Sequence, residues 1–277
     1  SIFAYKSRQL RVARQKCAKI ARQKRIFVIL AARSEYAFSM TILQSFILGL
    51  VQGLTEFLPI SSSGHLILTC NILGVTPSVS LELALHVATL CAVLIYYRKQ
   101  IFYLLRHPLD SRALYLLCST GVTVVLALTL RDVADYMQNG RLLPLCFMLT
   151  AAILLVGKWY KPKRKRGFLS CLFVGAAQGI AVIPGLSRSG LTITAATLAG
   201  EDRQTAAENS FLLSVPIIAG GFVTDLFSAP VTAVAVTPVI ISMATAFITG
   251  LISIKLVEII NKKLSLSVFS IYLAVLS

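Results

Sequence analysis

Long apolar runs separated by short polar breaks fill most of this chain. Runs with few charged residues occupy 81–97, 113–130, 142–157, 207–227, 232–254 and 264–277. About 20 apolar residues cross the hydrocarbon core of a bilayer as a helix, which satisfies its own backbone hydrogen bonds. The runs do not alternate between apolar and polar positions, as barrel strands do. The pattern therefore predicts an all-α polytopic membrane protein with about six transmembrane helices.

Two further segments, 41–74 and 168–199, interrupt this pattern in the same way. Each starts as an apolar helical stretch, stops at Pro59 or Pro184, passes through a turn rich in serine and glycine, and continues as a second apolar stretch. A broken helix is tolerated at membrane depth only where protein or a water-filled cavity surrounds the freed backbone groups. Both segments are therefore predicted to be re-entrant helical hairpins.

The two segments also match each other at one constant offset. The matching pairs are Gln52 with Gln178, Ser61 with Ser187, Ser63 with Ser189, Gly64 with Gly190 and, further on, Glu82 with Glu208. An odd number of predicted spans separates the hairpins, so the second should enter from the opposite face of the membrane. We therefore predict inverted-topology repeats, 41–130 and 168–254, whose broken helices meet near the bilayer midplane as in secondary transporters.

Composition and charge agree with this arrangement. Hydrophobic residues make up 56% of the chain and charged residues 14%, against about 45–50% and about 25% in soluble domains. Lysine and arginine collect near Arg98, Arg112, Lys163 and Lys255, and the positive-inside rule places these loops in the cytoplasm. No recognition motif accompanies the net charge of +16, so no nucleic-acid partner is predicted.

The amino-terminal residues 1–39 do not fit this arrangement. Residues 1–35 carry ten Lys/Arg and one acid, although the hairpin topology places them outside the cell. A native start at Met40 would remove the conflict. We therefore interpret 1–39 as a basic extension outside the native protein and 40–277 as a single integral membrane domain. An Arg-rich amphipathic surface anchor is the alternative interpretation.

The second segment carries groups suited to binding phosphate. Arg188 stands between Ser187 and Ser189 in a glycine-bounded turn. Its guanidinium offers a fork of donors, and the hydroxyls and exposed backbone amides of the turn add more. If a helix begins just after these serines, its amino end contributes a partial positive charge to the same site.

The first segment supplies the complementary groups. Its candidate residues are a carboxylate at Glu56, hydroxyls at Ser61, Ser62 and Ser63, and an imidazole at His65. Together with the second segment they represent a nucleophile, an acid or base and an anion clamp. Each also has a structural alternative, because polar groups in membrane helices serve in helix–helix hydrogen bonds as well.

The sequence leaves open the roles of several other polar residues. Gln52 and Glu56 stand four positions apart, so on a helix they share a face and could ligate a hard divalent cation or orient a hydroxyl. Glu82 and Glu208 open long apolar runs, where an acid either complements the helix dipole or belongs to a site. His86, one turn after Glu82, is interpreted as structural.

The motifs resemble those of a known family. The stretch from Gln52 to His65 is similar to the Glu/Gln-x-x-x-Glu and Pro-x-Ser-Ser-x-Gly-His motifs of bacterial undecaprenyl-diphosphate phosphatases of the bacitracin-resistance type. The stretch from Pro184 to Gly190 resembles that family's second motif, Pro-Gly-x-Ser-Arg-Ser-Gly. The likeness covers residues 40 to 277.

The resemblance implies hydrolysis of the terminal phosphate of a lipid carrier in the bacterial cytoplasmic (inner) membrane. It implies that Ser62 or His65 lies close to the attack on phosphorus and that Arg188 and Ser187 hold the diphosphate. Glu56 and Gln52 would form the acidic motif, with Mg²⁺ or Ca²⁺ as a divalent cation and no organic cofactor. A homodimer is also expected from the family.

A lipid flippase or secondary transporter is the alternative function, because inverted repeats with broken helices at the midplane are a transport architecture. It predicts movement of an anionic lipid with no bond broken. Release of phosphate separates the two functions.

Overall fold

The computed structural model describes residues 40–76, 79–159, 167–228, 236–263 and 266–277. Within these residues the chain forms helices and no strands: α1 Ile42–Phe57, α2 Ser62–Leu73, α3 Val79–Tyr96, α4 Arg98–Arg106, α5 Ser111–Thr129, α6 Arg131–Met137, α7 Leu143–Trp159, α8 Ser170–Ile180, α9 Arg188–Leu198, α10 Arg203–Ser228, α11 Val236–Lys263 and α12 Val268–Leu276. The extension predicted at 1–39 and the basic loop at 160–166 lie outside the described residues.

Apolar helices of spanning length confirm the predicted class, an all-α polytopic membrane protein. Among the described residues α5, α10 and α11 are long and apolar enough to cross a membrane, and α3 with α4, bent by 77°, would be a fourth span. The run at 142–157 forms the shorter apolar helix α7, and the run at 264–277 forms only α12, of nine residues. Among the described residues three or four spans are therefore long enough, and the predicted number of about six stays a prediction.

Both interrupted segments fold as helix–break–helix units. Hairpin one consists of α1 and α2, and hairpin two consists of α8 and α9. In hairpin one the α-helix ends at Phe57, two residues before Pro59, which has no N–H to continue the hydrogen-bond ladder. The second helices start at Ser62 and Arg188, so the serine-rich turns lie at helix amino termini. The opposite orientation of the two hairpins stays a prediction.

Hairpin one packs tightly against α11. A Cβ added to Gly53 would lie 2.5 Å from the carbonyl oxygen of Ala246, so only glycine permits this approach of α1 to α11. Ser253 donates a hydrogen bond of 2.8 Å to the backbone carbonyl of Leu54 across the same interface. Small residues that bring helix backbones together are the usual packing device in membranes, where van der Waals contact and hydrogen bonds drive association.

Hairpin two packs against α5 through the same device. A Cβ on Gly175 would lie 2.5 Å from the carbonyl oxygen of Ser119, and a Cβ on Gly179 would lie 2.6 Å from Cβ of Leu126. Thr123 adds a 3.0 Å hydrogen bond to the carbonyl of Gly175. Gly175 and Gly179 match Gly49 and Gly53 at the repeat offset, and α5 matches α11. Each hairpin therefore packs against the last long helix of the other repeat.

Aromatic side chains fill the space beneath the breaks. Phe57, the last residue of α1, packs edge-on against Phe211 of α10 with ring centroids 5.4 Å apart. Both rings are buried, together with Tyr97, Tyr115 and Phe147. This packing fixes the end of α1 and so the position of the residues just before the break.

Candidate active site

The carboxylate of Glu56 is the point at which the two hairpins meet. Its Oε2 accepts hydrogen bonds from Oγ of Ser62 at 2.6 Å and from Nε2 of Gln52 at 3.0 Å. Its Oε1 is paired with the guanidinium of Arg188 from hairpin two. Only 1% of the Glu56 side chain is exposed, and a carboxylate buried this far is tolerated only when it is paired and hydrogen-bonded.

Ser62 is the first residue of α2, and its position depends on the residue before it. Ser61 has φ 71° and is the only non-glycine residue with positive φ among those described. Its Oγ accepts the N–H of Gly64 at 3.4 Å and so caps the helix. The Ser61 and Ser63 hydroxyls lie 3.4 Å apart. This backbone conformation is strained for an L-residue, by about 1–3 kcal/mol, and such strain clusters at functional sites.

Arg188 starts α9 in the way that Ser62 starts α2. Ser187 has φ −82° and accepts the N–H of Gly190 at 3.1 Å as the helix cap. Ser189 donates a 3.0 Å hydrogen bond to the carbonyl of Leu58 in hairpin one. The capped turn and this bond between hairpins hold the guanidinium of Arg188 over Glu56.

Two helix amino termini therefore converge on one place. Each carries unpaired backbone N–H groups and about half a positive elementary charge. Together with Arg188 they make an environment that favours an anion, and the hydroxyl of Ser63 at its edge adds a donor. Phosphate is an anion that fits such a set of converging donors.

A cavity of roughly 520 Å³ lies over this cluster. The predicted site residues that line it are Glu56, Ser61, Ser62, Ser63, Ser187, Arg188 and Ser189. Its other walls include Leu81 in the first turns of α3, Ala127 near the end of α5, and Gly221 near the end of α10. Chain direction places these helix ends on the face away from Arg98 and Arg112.

His65 lies in the neighbouring packed layer and is not among the residues that line the cavity. Its Nδ1 is 2.7 Å from the carbonyl oxygen of Ser61, and its Nε2 is 2.8 Å from the hydroxyl of Tyr272. Its ring stacks on Tyr272 and packs against Phe147. Both ring nitrogens of His65 have partners. The geometry therefore favours a role for His65 in positioning the strained turn at Ser61. The sequence carried no signal for Tyr272, because α12 reaches His65 only in the folded chain.

His86 is the histidine that does face the cavity. Its Nδ1 lies 2.8 Å from the carbonyl of Glu82, one turn earlier, and its Nε2 lies 3.8 Å from Oε2 of Glu56. Glu82 lines the same cavity. The interpretation of His86 as purely structural is therefore incomplete, because the ring contacts the carboxylate at the centre of the site.

Glu208, the repeat partner of Glu82, lies elsewhere. It forms a 2.9 Å ion pair with Arg112, whose Nε donates to Asn209 at 2.8 Å, and Asn209 in turn donates to Glu201 at 2.9 Å. This network joins the start of α5 to the start of α10. The sequence left open whether each glutamate complements a helix dipole or belongs to a site. Glu82 lines the cavity, whereas Glu208 belongs to a structural network.

The side chains near Glu56 do not by themselves form a divalent-cation site. Glu56 is the only carboxylate among the hydrogen-bonded residues of the cluster, and it is already paired with Arg188. Gln52 Oε1 is buried and without a hydrogen-bond partner, so one further oxygen is free. Mg²⁺ and Ca²⁺ require six or more oxygen ligands, and no group of three His, Cys, Asp or Glu suited to a metal occurs in the described part of the chain. The cation stays a prediction.

The fold and the cluster define a polytopic membrane protein in which two broken helices meet at a buried carboxylate, a serine and an arginine. The family model described as Bacitracin resistance protein BacA matches residues 45–277. The chain belongs to this family.

Curated relatives cover most of the chain. A protein of Carboxydothermus hydrogenoformans named undecaprenyl-diphosphatase is 38% identical over 248 residues, 86% of this chain and 95% of that protein. A Korarchaeum cryptofilum protein of the same name is 36% identical over 84% of this chain and 95% of its own length. Undecaprenyl-diphosphatase 4 of Bacillus thuringiensis subsp. konkukian is 37% identical over 84% of this chain and 93% of its own length.

Proposed function

We propose that this protein hydrolyses undecaprenyl diphosphate to undecaprenyl phosphate and inorganic phosphate in the bacterial cytoplasmic membrane, and so recycles the lipid carrier for peptidoglycan synthesis. Family membership and the names of the relatives support the reaction. The observation that carries it is the contact of Glu56 with both Ser62 and Arg188, because it joins a nucleophile, a base and an anion clamp in one cavity.

The ion pair of Glu56 and Arg188 describes the site before substrate binds. The terminal phosphate competes for the guanidinium, since Arg forms bidentate hydrogen bonds with phosphate as readily as with carboxylate. Once Arg188 turns to the phosphate, Glu56 loses its countercharge and becomes the stronger base. Binding of the substrate therefore activates the carboxylate that must accept a proton.

In the first step Ser62 attacks the terminal phosphorus. Glu56 Oε2, which already accepts the Ser62 hydroxyl at 2.6 Å, takes its proton as the Oγ–P bond forms. The bond from phosphorus to the bridging oxygen breaks, and polyprenyl phosphate leaves with that oxygen. Arg188 and the backbone N–H groups at the starts of α2 and α9 stabilise the equatorial oxygens in the transition state.

In the second step water hydrolyses the phosphoserine. Glu56, which has passed its first proton to the departing polyprenyl phosphate, accepts a proton from the attacking water and returns it to Oγ of Ser62 as the bond from phosphorus to Oγ breaks and inorganic phosphate leaves. Direct attack by water on the lipid diphosphate, with Ser62 as a hydrogen-bonding residue, is the alternative chemistry. A covalent phosphate on Ser62, trapped by rapid acid quench and located by mass spectrometry, would decide for the serine route.

In this proposal the remaining predicted site residues keep Ser62 and Arg188 in position. Ser61 and Ser187 cap the two helices, and Ser63 and Ser189 line the cavity beside them. His65 fixes the Ser61 carbonyl. No step uses a cation, because the donor set around Glu56 is incomplete for one; a cation that accompanies the diphosphate would appear as a loss of activity with chelator.

The test is phosphate release from undecaprenyl diphosphate by the purified protein in detergent, with and without chelator. Glu56→Gln should abolish release, since the amide cannot accept the Ser62 proton. Glu258→Gln is the matched control: Glu258 accepts hydrogen bonds from Tyr96 and Tyr97, outside the cavity, and should retain activity. Lipid transfer without phosphate release by a folded wild type would overturn the proposal in favour of transport.

A further inference from the structure

We infer that the cavity continues beyond the phosphate site as a binding groove for the first isoprene units of the lipid chain, with Gly221 of α10 as the residue that sets its width. This inference rests on the proposed function, because the occupant is the chain of the same polyprenyl diphosphate. It assigns a role to the apolar walls of the cavity, which the phosphate chemistry does not use.

Along α2 the lining of the cavity changes from polar to apolar with distance from Glu56, although Glu82 and His86 of α3 also line the cavity. On α2, Ser62 and Ser63 are followed on the cavity wall by Leu66, Ile67 and Cys70. Eight residues of helix separate Ser62 from Cys70, which corresponds to about 12 Å along the axis. The cavity is therefore long enough to take the start of a chain whose diphosphate lies at Arg188, while the rest of the chain stays in the bilayer.

The facing wall comes from the second half of α10. Ile217, Ile218, Gly221 and Phe222 line the cavity and lie at positions one turn apart, which places them on one side of the helix. They follow Pro216, which interrupts the backbone hydrogen bonds of α10. The wall contains no charged residue, so it can take an isoprenoid chain but not the diphosphate.

Gly221 leaves more room on this wall than a larger residue would. A Cβ added there meets no atom of the described residues within 4 Å, whereas a Cβ on Gly53 or Gly179 would collide with a neighbouring helix. Helix packing therefore does not account for Gly221. Because it lines the cavity, the space above it is part of the volume that a chain would occupy.

The groove acts by shape. Lipid tails are as apolar as the wall, so no hydrophobic driving force favours the groove over the bilayer. What the wall can supply is alignment, since a chain held along α10 directs the terminal phosphate at Ser62. A side chain that fills the groove should therefore impair long-chain substrates and spare a diphosphate with a single isoprene unit.

The experiment compares Gly221→Leu with Gly121→Leu. Gly121 lies on α5, is exposed, also meets nothing within 4 Å of an added Cβ, and does not line the cavity. Turnover is measured with undecaprenyl, farnesyl and isopentenyl diphosphate. Gly221→Leu should lower kcat/KM for undecaprenyl and farnesyl diphosphate by about tenfold or more, the discrimination a pocket wall achieves. Isopentenyl diphosphate should change less than about twofold, and Gly121→Leu should match the wild type on all three.

The outcomes separate the groove from the proposed function. Equal losses on isopentenyl and undecaprenyl diphosphate, or no loss at all, would overturn the groove while the wild type still releases phosphate. A wild type that releases phosphate from none of the substrates would overturn the function. In that case binding of undecaprenyl phosphate in detergent tests the groove. Gly221→Leu should weaken binding, because the leucine clashes with a chain whose phosphate lies at Arg188, and Gly121→Leu should not. Equal binding by both variants would overturn the groove.

Discussion

Hairpins one and two begin their second helices with the same capped turn and then place different chemistry on it. Ser61 caps α2 through the N–H of Gly64, and Ser187 caps α9 through the N–H of Gly190. The next residue is Ser62 in one hairpin and Arg188 in the other, and both side chains reach Glu56. Matching backbone positions thus deliver a hydroxyl and a guanidinium to one carboxylate.

The other matching positions explain why one hairpin alone cannot form this site. Glu56 corresponds to Val182, and His65 corresponds to Leu191, so hairpin two has neither a carboxylate nor an imidazole at these places. Hairpin one has no cation at its own turn. The repeat therefore determines the positions of these side chains, whereas a few residue differences between the hairpins determine their chemistry.

The backbones differ within the turn. The positive φ near the turn falls on Gly185 in hairpin two, at 90°, and on Ser61 in hairpin one, at 71°. Glycine adopts this conformation at little cost, whereas serine is strained there. Hairpin one therefore stores strain next to Ser62, and the hydrogen bonds to His65 and Gly64 hold it in place.

The largest effect is expected from Glu56→Val, which gives hairpin one the residue of hairpin two. It removes the proton acceptor of Ser62, and phosphate release should fall by about 10³-fold or more, as for loss of a catalytic group. It also leaves the half-buried Arg188 without its carboxylate partner, which should cost about 1–3 kcal/mol of folding free energy. Chemical denaturation of Glu56→Val and of the double variant Glu56→Val/Arg188→Ala should show stability recovered in the double variant without activity.

The reverse exchange, Arg188→Ser, places the residue of hairpin one in hairpin two. Loss of the clamp should lower kcat by about 10²–10³-fold, the effect of removing one donor to a developing anion. Arg188→Lys keeps the charge but loses the planar fork, so its activity should fall between that of Arg188→Ser and the wild type. Activity of Arg188→Ser within about twofold of the wild type would contradict the clamp.

His65→Leu tests the second chemical difference between the hairpins. It removes the side-chain partner of the Tyr272 hydroxyl and of the Ser61 carbonyl, which still accepts the backbone N–H of residue 65 at 3.2 Å. It should therefore cost about 1 kcal/mol of stability and lower turnover about tenfold. Tyr272→Phe should reproduce part of the stability loss, as measured by the melting temperature. His86→Leu should show the opposite pattern, with reduced turnover and little change in stability. Loss of activity in His65→Leu as large as in Glu56→Val would argue that His65 acts directly on the substrate.

The smallest effects concern the glycines that pack each hairpin. Gly53→Ala brings a Cβ 2.5 Å from a backbone carbonyl of α11 and should cost about 1–3 kcal/mol, as overpacking does. Gly179→Ala should cost less, since its nearest backbone atom, the carbonyl of Thr123, lies at 3.3 Å. A Cβ added to Gly121 has no described atom within 4 Å. Gly121→Ala should therefore be neutral or slightly stabilising, because alanine favours helices. The same order should appear in the melting temperatures.

Much of the fold followed from the sequence because membrane helices leave strong signals. Apolar runs predicted α3, α5, α7, α10 and α11, and the breaks at Pro59 and Pro184 predicted both hairpins. The repeat offset predicted that the two turns would converge. The short helices α4 and α6 were missed, because they carry charged residues and lie between the spans.

The parts of the site that escaped prediction depend on contacts between distant elements. His86 reaches Glu56, and Tyr272 reaches His65 across 207 positions of sequence. Glu82 and Glu208 have the same place in the repeat, yet one lines the cavity and the other pairs with Arg112. The local sequence around Glu82 and Glu208 does not predict these different positions, because each depends on contacts with distant parts of the chain.

The crossed packing of the hairpins has a consequence for how the protein is made. Leu54 of hairpin one is held by Ser253 of α11, 199 positions later. At a synthesis rate of about 5–20 residues per second, hairpin one waits roughly 10–40 s for the helix that secures it. Arg188 is made earlier, 132 positions after Glu56, but the final surroundings of Glu56 are incomplete until α11 is made. We expect a nascent chain that ends before α11 to keep hairpin one sensitive to proteases and unable to release phosphate, however many of the catalytic residues it already contains.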